Sequence, residues 1–381
     1  MTEKRPLMPA TRRSVLKLTA ASLAAGIVPT TARATEQVDT VVIGAGLAGL
    51  NAALILEEAG ERVVVLEGRG RVGGRVLSFS DLPGNPEAGA NSFFPGYART
   101  MSLCERLGVG YQSYGQFRMR PSTILNIKDR YYDAHSWAEA EVNPLPADIK
   151  ATLPYAAVPK LVAQHNPLAD VTDWQRPEMR QLDGPTHEFL KQHGWSDEAI
   201  RLCHDTNVAY GKSSHDVSQL MWFFIDAWIK RQMTLGTSEY VIKGGNAQLP
   251  IAMASALSGP IHLGKRVVSV VSDRHSVEVR THDGDRFGCG KVIVTTPLPP
   301  LRQIAFEPGL SSLKREALLT VGQMPITQLH LVPKKPFWED DGMPPGIWTD
   351  GPLGQIAASY AQTDPGEVGS FIVWGRGFDA L

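Results

Sequence analysis

The chain has 381 residues, of which 43% are hydrophobic and 20% charged, and its 38 Lys and Arg nearly balance 39 Asp and Glu. This composition is typical of a globular enzyme with room for a large core or two domains. No basic stripe is present, so a nucleic-acid partner is not expected. The three cysteines, Cys104, Cys203 and Cys289, are far apart and match no metal-site spacing. We therefore expect buried thiols and no metal.

The N-terminus has the features of an export signal. Residues 11–17 read TRRSVLK, a twin-arginine pattern, and an uncharged apolar stretch follows at 18–28. That stretch is shorter than the roughly 20 residues that a membrane span needs. Ala32-Arg33-Ala34 resembles a cleavage site. We expect residues 1–34 to be a signal peptide cleaved near Ala34, recognised by the twin-arginine export machinery.

The expected location of the exported chain is therefore periplasmic or secreted, without a stable membrane anchor. Residues 1–34 hold six basic residues and one acidic residue, which leaves 32 basic and 38 acidic residues and a net charge of −6 in the remainder. The alternative is a basic amphipathic start of a cytosolic protein. No feature of the sequence predicts an oligomeric state.

A βαβ unit begins directly after this segment. An apolar strand at 40–43 precedes a G-x-G-x-x-G loop at 44–49, a helix continues to Gly60, and a second apolar strand occupies 63–66. A glycine loop in this strand–loop–helix–strand context indicates dinucleotide binding. The fold class expected from it is α/β, with a Rossmann-like, doubly wound domain.

Each position of the loop has a physical role. Gly44 permits the tight turn out of the strand, Gly46 lets a pyrophosphate approach the backbone, and Gly49 lets the helix pack close to the sheet. Leu47 and Ala48 belong to the same loop, whose free N–H groups would face the phosphates together with the positive end of the dipole of the following helix. All five residues are predicted to bind the cofactor.

The second strand delivers an acid and another glycine loop. Glu67 lies 21 residues after Gly46, where a carboxylate can accept hydrogen bonds from ribose hydroxyls. The run at 66–75, LEGRGRVGGR, resembles the L-E-x-R-x-R-x-G-G-R motif of the flavin amine oxidase family. A glycine pair flanked by arginines offers backbone donors and positive charge to a pyrophosphate. The residues of this run predicted to bind the cofactor are Glu67, Gly68, Arg69, Gly73, Gly74 and Arg75.

The resemblance continues along the chain and implies FAD as the cofactor. The segment 86–96, PEAGANSFFPG, is similar to the family's stretch beside the isoalloxazine ring and would place Gly89 and Ala90 there. The segment 240–250 is similar to the family's G-G-x-x-x-L-P motif. Val267 matches the position whose backbone contacts the adenine, and Phe337-Trp338 resembles the F-W segment of amine and L-amino-acid oxidases.

The family's two interleaved domains then set the expected boundaries. The FAD-binding domain would take 36–110 and 239–300, and a mixed-sheet and helical substrate-binding domain would take 111–238 and 301–381. Residues 261–271 and 276–281 are predicted to form strands, and 97–107, 188–193, 197–208 and 217–233 are predicted to form helices.

The middle region holds no recognisable catalytic group. His204-Asp205 and His215-Asp216 could support acid–base chemistry, but no nucleophile or metal partner accompanies them, so we interpret them as satisfied polar residues. The helix at 217–233 is rich in large apolar groups, and core packing is the expected role. Some of its aromatic residues could alternatively face a substrate cavity.

Two features depart from the family. The lysine that usually holds a water near the flavin is absent from the stretch 300–306, PLRQIAF. The family also continues past the position of Leu381, into a segment with a last FAD-contacting motif and an aromatic cage. We therefore expect the sequence to be a fragment or a truncated reading frame, incomplete in its substrate-binding domain.

As the resemblance implies, the chain would be an FAD-dependent oxidase of a primary or secondary amine or an L-amino acid. Flavin would take a hydride from the amine-bearing carbon, the imine would hydrolyse to a carbonyl with release of ammonia or an amine, and O2 would reoxidise the flavin to give H2O2. The catalytic residues are left unassigned. The alternatives are a desaturase or protoporphyrinogen-type oxidase, an inactive FAD-binding remnant and, as the weakest, a nicotinamide-dependent dehydrogenase. An arginine that would bind a substrate carboxylate could be Arg118, Arg120 or Arg231.

Overall fold

The computed structural model describes residues 36–113, 119–120, 124–361, 364 and 366–380. The predicted signal peptide, residues 1–34, lies outside the described residues. Within the part of the chain that is described, no helix combines the length and the apolar character needed to cross a membrane.

Eleven α-helices are described. They are α1 (Leu47–Glu58), α2 (Ala98–Arg106), α3 (Ala134–Glu139), α4 (Pro154–His165), α5 (Thr186–Gln192), α6 (Asp197–Cys203), α7 (Gln219–Leu235), α8 (Gln248–Ala256), α9 (Leu298–Leu301), α10 (Ser312–Thr320) and α11 (Phe337–Asp340). Short 3-10 helices lie at Asp173–Gln175, Pro177–Leu182, Asp205–Asn207 and Gly377–Ala380.

The described strands form two seven-stranded sheets and one pair. They are β1 (Glu36–Ile43), β2 (Val63–Leu66), β3 (Tyr111–Ser113), β4 (Met119–Arg120), β5 (Leu125–Ile127), β6 (Arg130–Tyr132), β7 (Tyr240–Ile242), β8 (Ile261–His262), β9 (Val267–Ser272), β10 (Val277–Thr281), β11 (Arg286–Val294), β12 (Ala305–Glu307), β13 (Ile326–Leu331), β14 (Ile347–Thr349), β15 (Gln355–Tyr360) and β16 (Val368–Arg376).

The first sheet has the strand order β12-β9-β10-β11-β1-β2-β8. Its centre is parallel: Thr40 of β1 pairs with Val63 of β2 on one side and with Lys291 of β11 on the other. Because parallel strands end at the same edge, β1, β2 and β11 bring their carboxyl ends together although β11 is more than 200 residues away in the sequence.

The central strands of this sheet are buried on both faces, as a parallel sheet requires. Val42, Val63 and Val65 point to one side and join a buried cluster with helices α1 and α8. Val41 and Val64 point to the other side and join a cluster with apolar residues of β9, β10 and β11. The first face is thus covered by helices. The side chains on the second face pack against apolar side chains of β9, β10 and β11.

One predicted element is wrong in detail. The apolar pattern at 261–271 predicts a single strand, but the chain forms β8 and β9 with a turn between them. Gly264 adopts a φ of 71° in that turn, a left-handed conformation that ends a strand. β8 then pairs with β2, whereas β9 pairs with β10.

The second sheet has the order β13-β16-β15-β14-β5-β6, and β4 pairs with β15 at its edge. A large buried cluster joins β5 and β14 to the helices α3 to α7. Trp137, Trp195 and Leu190 are fully buried in it. The predicted helices of this region are confirmed, except that 197–208 divides into α6 and the 3-10 helix Asp205–Asn207.

Candidate functional site

A cavity of about 520 Å³ opens at the edge of the first sheet where β1, β2 and β11 end. Its lining comes from the glycine loop, the second strand end, the following loop and two distant segments. The lining residues are Ile43, Gly44, Gly46, Leu47, Ala48, Leu66, Glu67, Gly68, Arg69, Gly73, Gly74, Arg75, Val76, Lys265, Arg266, Val267, Thr295, Thr296, Pro297, Pro300, Gln303 and Ile304.

The three loop glycines have different surroundings. Gly44 has a φ of 108°, which only glycine adopts readily, and its N–H donates to the Leu66 carbonyl at 2.8 Å. At Gly49 a Cβ would lie 1.9 Å from the Gly44 carbonyl oxygen, so only glycine lets the helix approach the strand. At Gly46 a Cβ would meet no heavy atom within 4 Å. The open side of Gly46 faces the cavity it lines.

The second glycine loop lies directly against the first. The Gly73 N–H donates to the Ala45 carbonyl at 2.8 Å, and a Cβ at Gly74 would lie 3.3 Å from Gly46 Cα. Both Gly73 and Gly74 have positive φ angles, 96° and 57°. The two loops therefore present bare backbone to one space, as a ligand with a pyrophosphate needs.

Arg71 holds this second loop in shape. Its Nη2 donates to the Gly74 carbonyl at 2.8 Å, and its Nη1 donates to the carbonyls of Val72 and Val76 at 3.0 and 3.3 Å. Burial and the neighbouring Arg69 lower the pKa of Arg71 below its usual value. Arg71 is thus a structural residue of the motif, whereas Arg69 and Arg75 are exposed at the cavity.

Glu67 stands at the end of β2 with 9% of its surface exposed. Its Oε2 accepts a hydrogen bond from the Ala45 N–H at 2.9 Å, and its Oε1 accepts one from the Arg69 N–H at 2.8 Å. A carboxylate has about four acceptor positions, so further hydrogen bonds from a ligand remain open to it. The structure thus brings the predicted acid to the glycine loop.

Three predicted site residues do not line this cavity. Gly49 acts through helix packing, as expected. Gly89 and Ala90 lie behind the second loop: a Cβ at Gly89 would lie 2.0 Å from the Arg75 carbonyl oxygen, which also accepts from the Ala90 N–H at 3.1 Å. Their predicted place beside a flavin ring stays a prediction.

A buried hydrogen-bond cluster positions that segment. The Glu87 carboxylate, 1% exposed, accepts from Ser78 Oγ at 2.7 Å and from the Asn246 N–H at 2.8 Å. The Asn246 Nδ2 donates to the carbonyls of Ala90 and Asn91 at 2.8 and 2.9 Å. These bonds tie the segment 86–96 to the G-G-x-x-x-L-P turn, which explains physically why the two motifs occur together.

The sequence reasoning missed the residues that follow β11. Thr295 Oγ1 donates to the carbonyls of Ile43 and Gly44 at 2.9 and 3.2 Å, which locks the start of the loop. Thr296 Oγ1 is buried in the cavity wall and has no hydrogen-bond partner among the residues that the structure describes, which suits a polar ligand. No local signal in the sequence points to either residue, because β11 lies beside β1 only through tertiary pairing.

The edge of the cavity carries positive charge. Arg69, Arg75 and Arg266 line it, and Lys265 lines it while its Nζ contacts Asp283 and Asp285 at 2.5 Å. Two acids thus hold Lys265, whereas none of the three arginines forms an ion pair with an acid in the described part of the chain. A cavity with this charge and with exposed backbone N–H groups favours an anionic ligand.

The other candidates take ordinary roles. His204 Nδ1 lies 2.8 Å from Asp205 Oδ1, and Asp216 accepts the N–H groups of Lys212 and Ser213. The three cysteines are free and buried, which confirms the prediction. No cluster of metal-ligating side chains occurs within the described ranges.

The arginines considered for a substrate carboxylate find no support. Arg231 is exposed and lies 3.4 Å from Asp170. Arg118 and the side chain of Arg120 lie outside the described residues.

Solved structures share this fold. A redesigned putrescine oxidase superposes on the chain with a TM-score of 0.69 at 22% sequence identity. The superposition covers 91% of this chain and 77% of the putrescine oxidase chain. Cyclohexylamine oxidase from Brevibacterium oxydans gives a TM-score of 0.68 at 18% identity and covers 90% of this chain and 76% of its own. At these identities the likeness concerns the α/β fold alone.

Curated relatives extend the likeness to sequence. An L-amino-acid oxidase of Mus musculus is 27% identical over 330 residues, and an L-amino acid oxidase of Bothrops pictus is 28% identical over 365. Flavin-containing amine oxidase B of Homo sapiens is 24% identical over 350 residues. The matches cover 81%, 89% and 86% of this chain but 49%, 69% and 63% of the relatives. The chain thus spans about half of the mouse enzyme.

The family model of the flavin-containing amine oxidoreductases matches residues 47–381. This match begins at the first residue of α1, after β1, and includes all the other strands of both large sheets. The chain therefore belongs to the flavin-containing amine oxidoreductase family.

Proposed function

We propose that the chain binds FAD in the cavity at the carboxyl edge of the first sheet and oxidises an amine or an L-amino acid. The observation that carries this proposal is the meeting of two glycine loops and one buried acid, Glu67, at a single cavity. Family membership supports a flavin over a nicotinamide.

The residues present fit such a cofactor. The bare backbones of Gly46 and Gly74 would flank the pyrophosphate, with the N–H groups of Leu47 and Ala48 at the helix start. Glu67 would accept hydrogen bonds from the ribose hydroxyls. Val267 lines the same cavity and suits the adenine. The remaining residues assigned to the cofactor are Gly44, Gly49, Gly68, Arg69, Gly73, Arg75, Gly89 and Ala90.

The bound flavin would supply the oxidising chemistry, by accepting a hydride equivalent from the amine-bearing carbon and passing electrons to O2. The chain's own contribution is to bind, orient and enclose. Near Pro300 the cavity is lined by Gln303 and Ile304, and this stretch carries no lysine. We assign no catalytic base, because a neutral amine that loses hydride needs none.

The division into domains and the cellular route belong to the same proposal. An FAD-binding domain at 36–110 and 239–300 is supported by the strands of the first sheet, although β12 joins that sheet from beyond residue 300. A substrate-binding domain at 111–238 and 301–381 is supported by the second sheet and its helices. The sequence pattern of 1–34 supports export by the twin-arginine route to the periplasm or beyond.

A peroxide screen tests the activity. The purified chain, supplied with FAD, is incubated with a panel of L-amino acids and of primary and secondary amines, and H2O2 is measured with a coupled peroxidase. We expect H2O2 from at least one class of substrate. We expect none from the matching D-amino acids or from alcohols that carry no amino group. A chain that retains FAD yet gives no peroxide with any member of the panel would overturn the proposed activity.

A further inference from the structure

A second, smaller cavity lies where the helices α4, α6 and α7 meet the second sheet. Its volume is about 170 Å³. The residues that line it are Tyr155, Val158, Pro159, Cys203, His204, Asn207, Ala209, Trp222, Trp348, Gln355 and Arg376. An engineered cavity of about 150 Å³ is known to accept benzene, so this one has room for a small organic molecule.

The walls of this cavity hold polar atoms without partners. Within the described part of the chain, the indole N–H groups of Trp222 and Trp348, the Nε of Arg376, the Nε2 of His204 and the Oδ1 of Asn207 are buried without a hydrogen bond. Trp222, Trp348 and His204 are 8%, 3% and 2% exposed. Buried polar groups are nearly always satisfied, so the molecule that occupies this cavity must offer hydrogen-bond partners to these five atoms.

The chemistry of these atoms selects the ligand. An indole N–H and a guanidinium can only donate hydrogen bonds, so Trp222, Trp348 and Arg376 all require an acceptor. Among the described residues, no carboxylate pairs with Arg376, whose guanidinium carbon lies 4.6 Å from the centroid of the Trp374 ring. Burial lowers the pKa of Arg376, which reflects the cost of holding this cation away from water.

We propose that this cavity binds a small carboxylate anion, held by Arg376 together with the indole N–H groups of Trp222 and Trp348. A carboxylate offers two oxygens with acceptor positions to spare, and it neutralises the half-buried guanidinium, whose Nε is fully buried. Asn207 Oδ1 would accept from a donor group on the same molecule. The ring of His204 lines the same cavity, with its Nδ1 held 2.8 Å from Asp205 Oδ1.

The carboxylate has two possible sources. It is the α-carboxylate of an amino-acid substrate, in which case this cavity determines that the enzyme takes amino acids, or it is a free carboxylic acid bound apart from catalysis. The first source rests on the proposed oxidase function, and the second does not.

Calorimetric titration of the full chain with sodium propionate, at constant ionic strength, tests the site without any turnover. We expect saturable binding of propionate and none of propionamide, which has the same shape without the charge. Arg376→Met should weaken propionate binding by about 10- to 100-fold, because a hydrogen-bonded charge is lost. Trp348→Phe keeps the ring and removes one donor, so a weakening of up to about 10-fold is expected even if the Arg376 variant fails to fold.

Arg130→Met is the matched control, since Arg130 lies on β6 of the same sheet, exposed and away from the cavity. It should bind propionate as the wild type does. Absence of saturable propionate binding, equal binding of propionamide, or equal loss in the Arg130 variant would overturn the proposal and leave the cavity to water.

Kinetics then separate the two sources. If the substrate carboxylate binds here, Arg376→Met raises KM for L-amino acids about 10-fold or more and leaves kcat/KM for the decarboxylated amines unchanged. If a free acid binds here, kcat/KM is unchanged for both classes while propionate binding is lost. A chain that binds propionate but oxidises no amine contradicts the proposed function alone, and an active oxidase that binds no carboxylate contradicts this inference alone.

Discussion

The Glu67 Oε2 accepts a buried hydrogen bond from the Ala45 N–H across a distance of 2.9 Å. This bond joins the end of β2 to the turn after β1, so the acid and the glycine loop form one rigid unit. A ligand that uses the acid must therefore also meet the loop. The relationship makes Glu67 the residue whose replacement tests the site most selectively.

Glu67→Gln should weaken flavin binding by about 10- to 100-fold, because the charge-assisted hydrogen bonds to ribose hydroxyls are lost. The N–H groups of Ala45 and Arg69 now donate to the two carboxylate oxygens. In the glutamine variant the side-chain NH2 group faces one of these two N–H groups and cannot accept its hydrogen bond. Flavin retained per chain and the Kd from fluorescence quenching measure this effect. Glu58→Gln, at an exposed ion pair with Arg106, is the control and should retain flavin fully.

Gly46 and Gly49 should respond to alanine in opposite ways. At Gly46 a methyl group meets open space, so Gly46→Ala should leave the Tm of the flavin-free chain nearly unchanged while it obstructs the approach of the pyrophosphate. At Gly49 the methyl group would lie 1.9 Å from the Gly44 carbonyl oxygen, so Gly49→Ala should destabilise the fold by about 1–3 kcal/mol. Thermal unfolding and flavin titration of both variants distinguish the two effects. Normal flavin affinity in the Gly46 variant would contradict the assignment of the loop.

Asn246→Ala should destabilise the chain by about 2–4 kcal/mol, because it removes three hydrogen bonds and leaves buried backbone groups unsatisfied. Denaturant unfolding measures the change in the free energy of unfolding. Asn51→Ala, at a half-buried position on α1, should change it by less than about 0.5 kcal/mol. Equal effects in the two variants would show that the cluster around Glu87 contributes little.

Asp205 should make stability depend on pH on the acid side. Burial raises the pKa of Asp205, but hydrogen bonds from His204 and Ser214 outweigh it and hold the pKa below the usual value of 3.8. The carboxylate therefore stabilises the fold above that value, and the contribution is lost as the pH falls through the lower pKa of the folded chain. The difference in Tm between wild type and Asp205→Asn should shrink toward low pH. Asp81→Asn, at an exposed position, should show no such convergence.

The glycine loop could be predicted from sequence because its members are contiguous and each has a local physical role. Gly44 and Gly49 are required by a positive φ and by a close helix–strand approach, and both requirements follow from the strand–loop–helix pattern. The strand that ends at Leu66 is predicted for the same reason, whereas the helix begins at Leu47, inside the predicted loop. Local chemistry thus specifies the core of the site.

The rest of the site depends on tertiary pairing. Thr295 reaches the loop because β11 lies beside β1, a pairing that no local pattern specifies. The division of 261–271 into β8 and β9 depends on the turn at Gly264. The periodicity of the apolar residues does not reveal this turn. Arg376 could not be predicted as a carboxylate-binding residue, because it meets Trp222 and Trp348 only when β16 packs against the helices.

The measurement that tests the central claim most directly is an anaerobic absorption spectrum of the purified chain, before and after addition of an L-amino acid or an amine. We predict flavin bands that are released as intact FAD by heat and that bleach with substrate as the flavin is reduced. Gly46→Ala, prepared in parallel, should be colourless and should unfold at the Tm of the flavin-free wild type. A folded wild-type chain that takes up no FAD would contradict the assignment of the cavity. A flavin spectrum that no amine or amino acid bleaches would contradict the proposed oxidation.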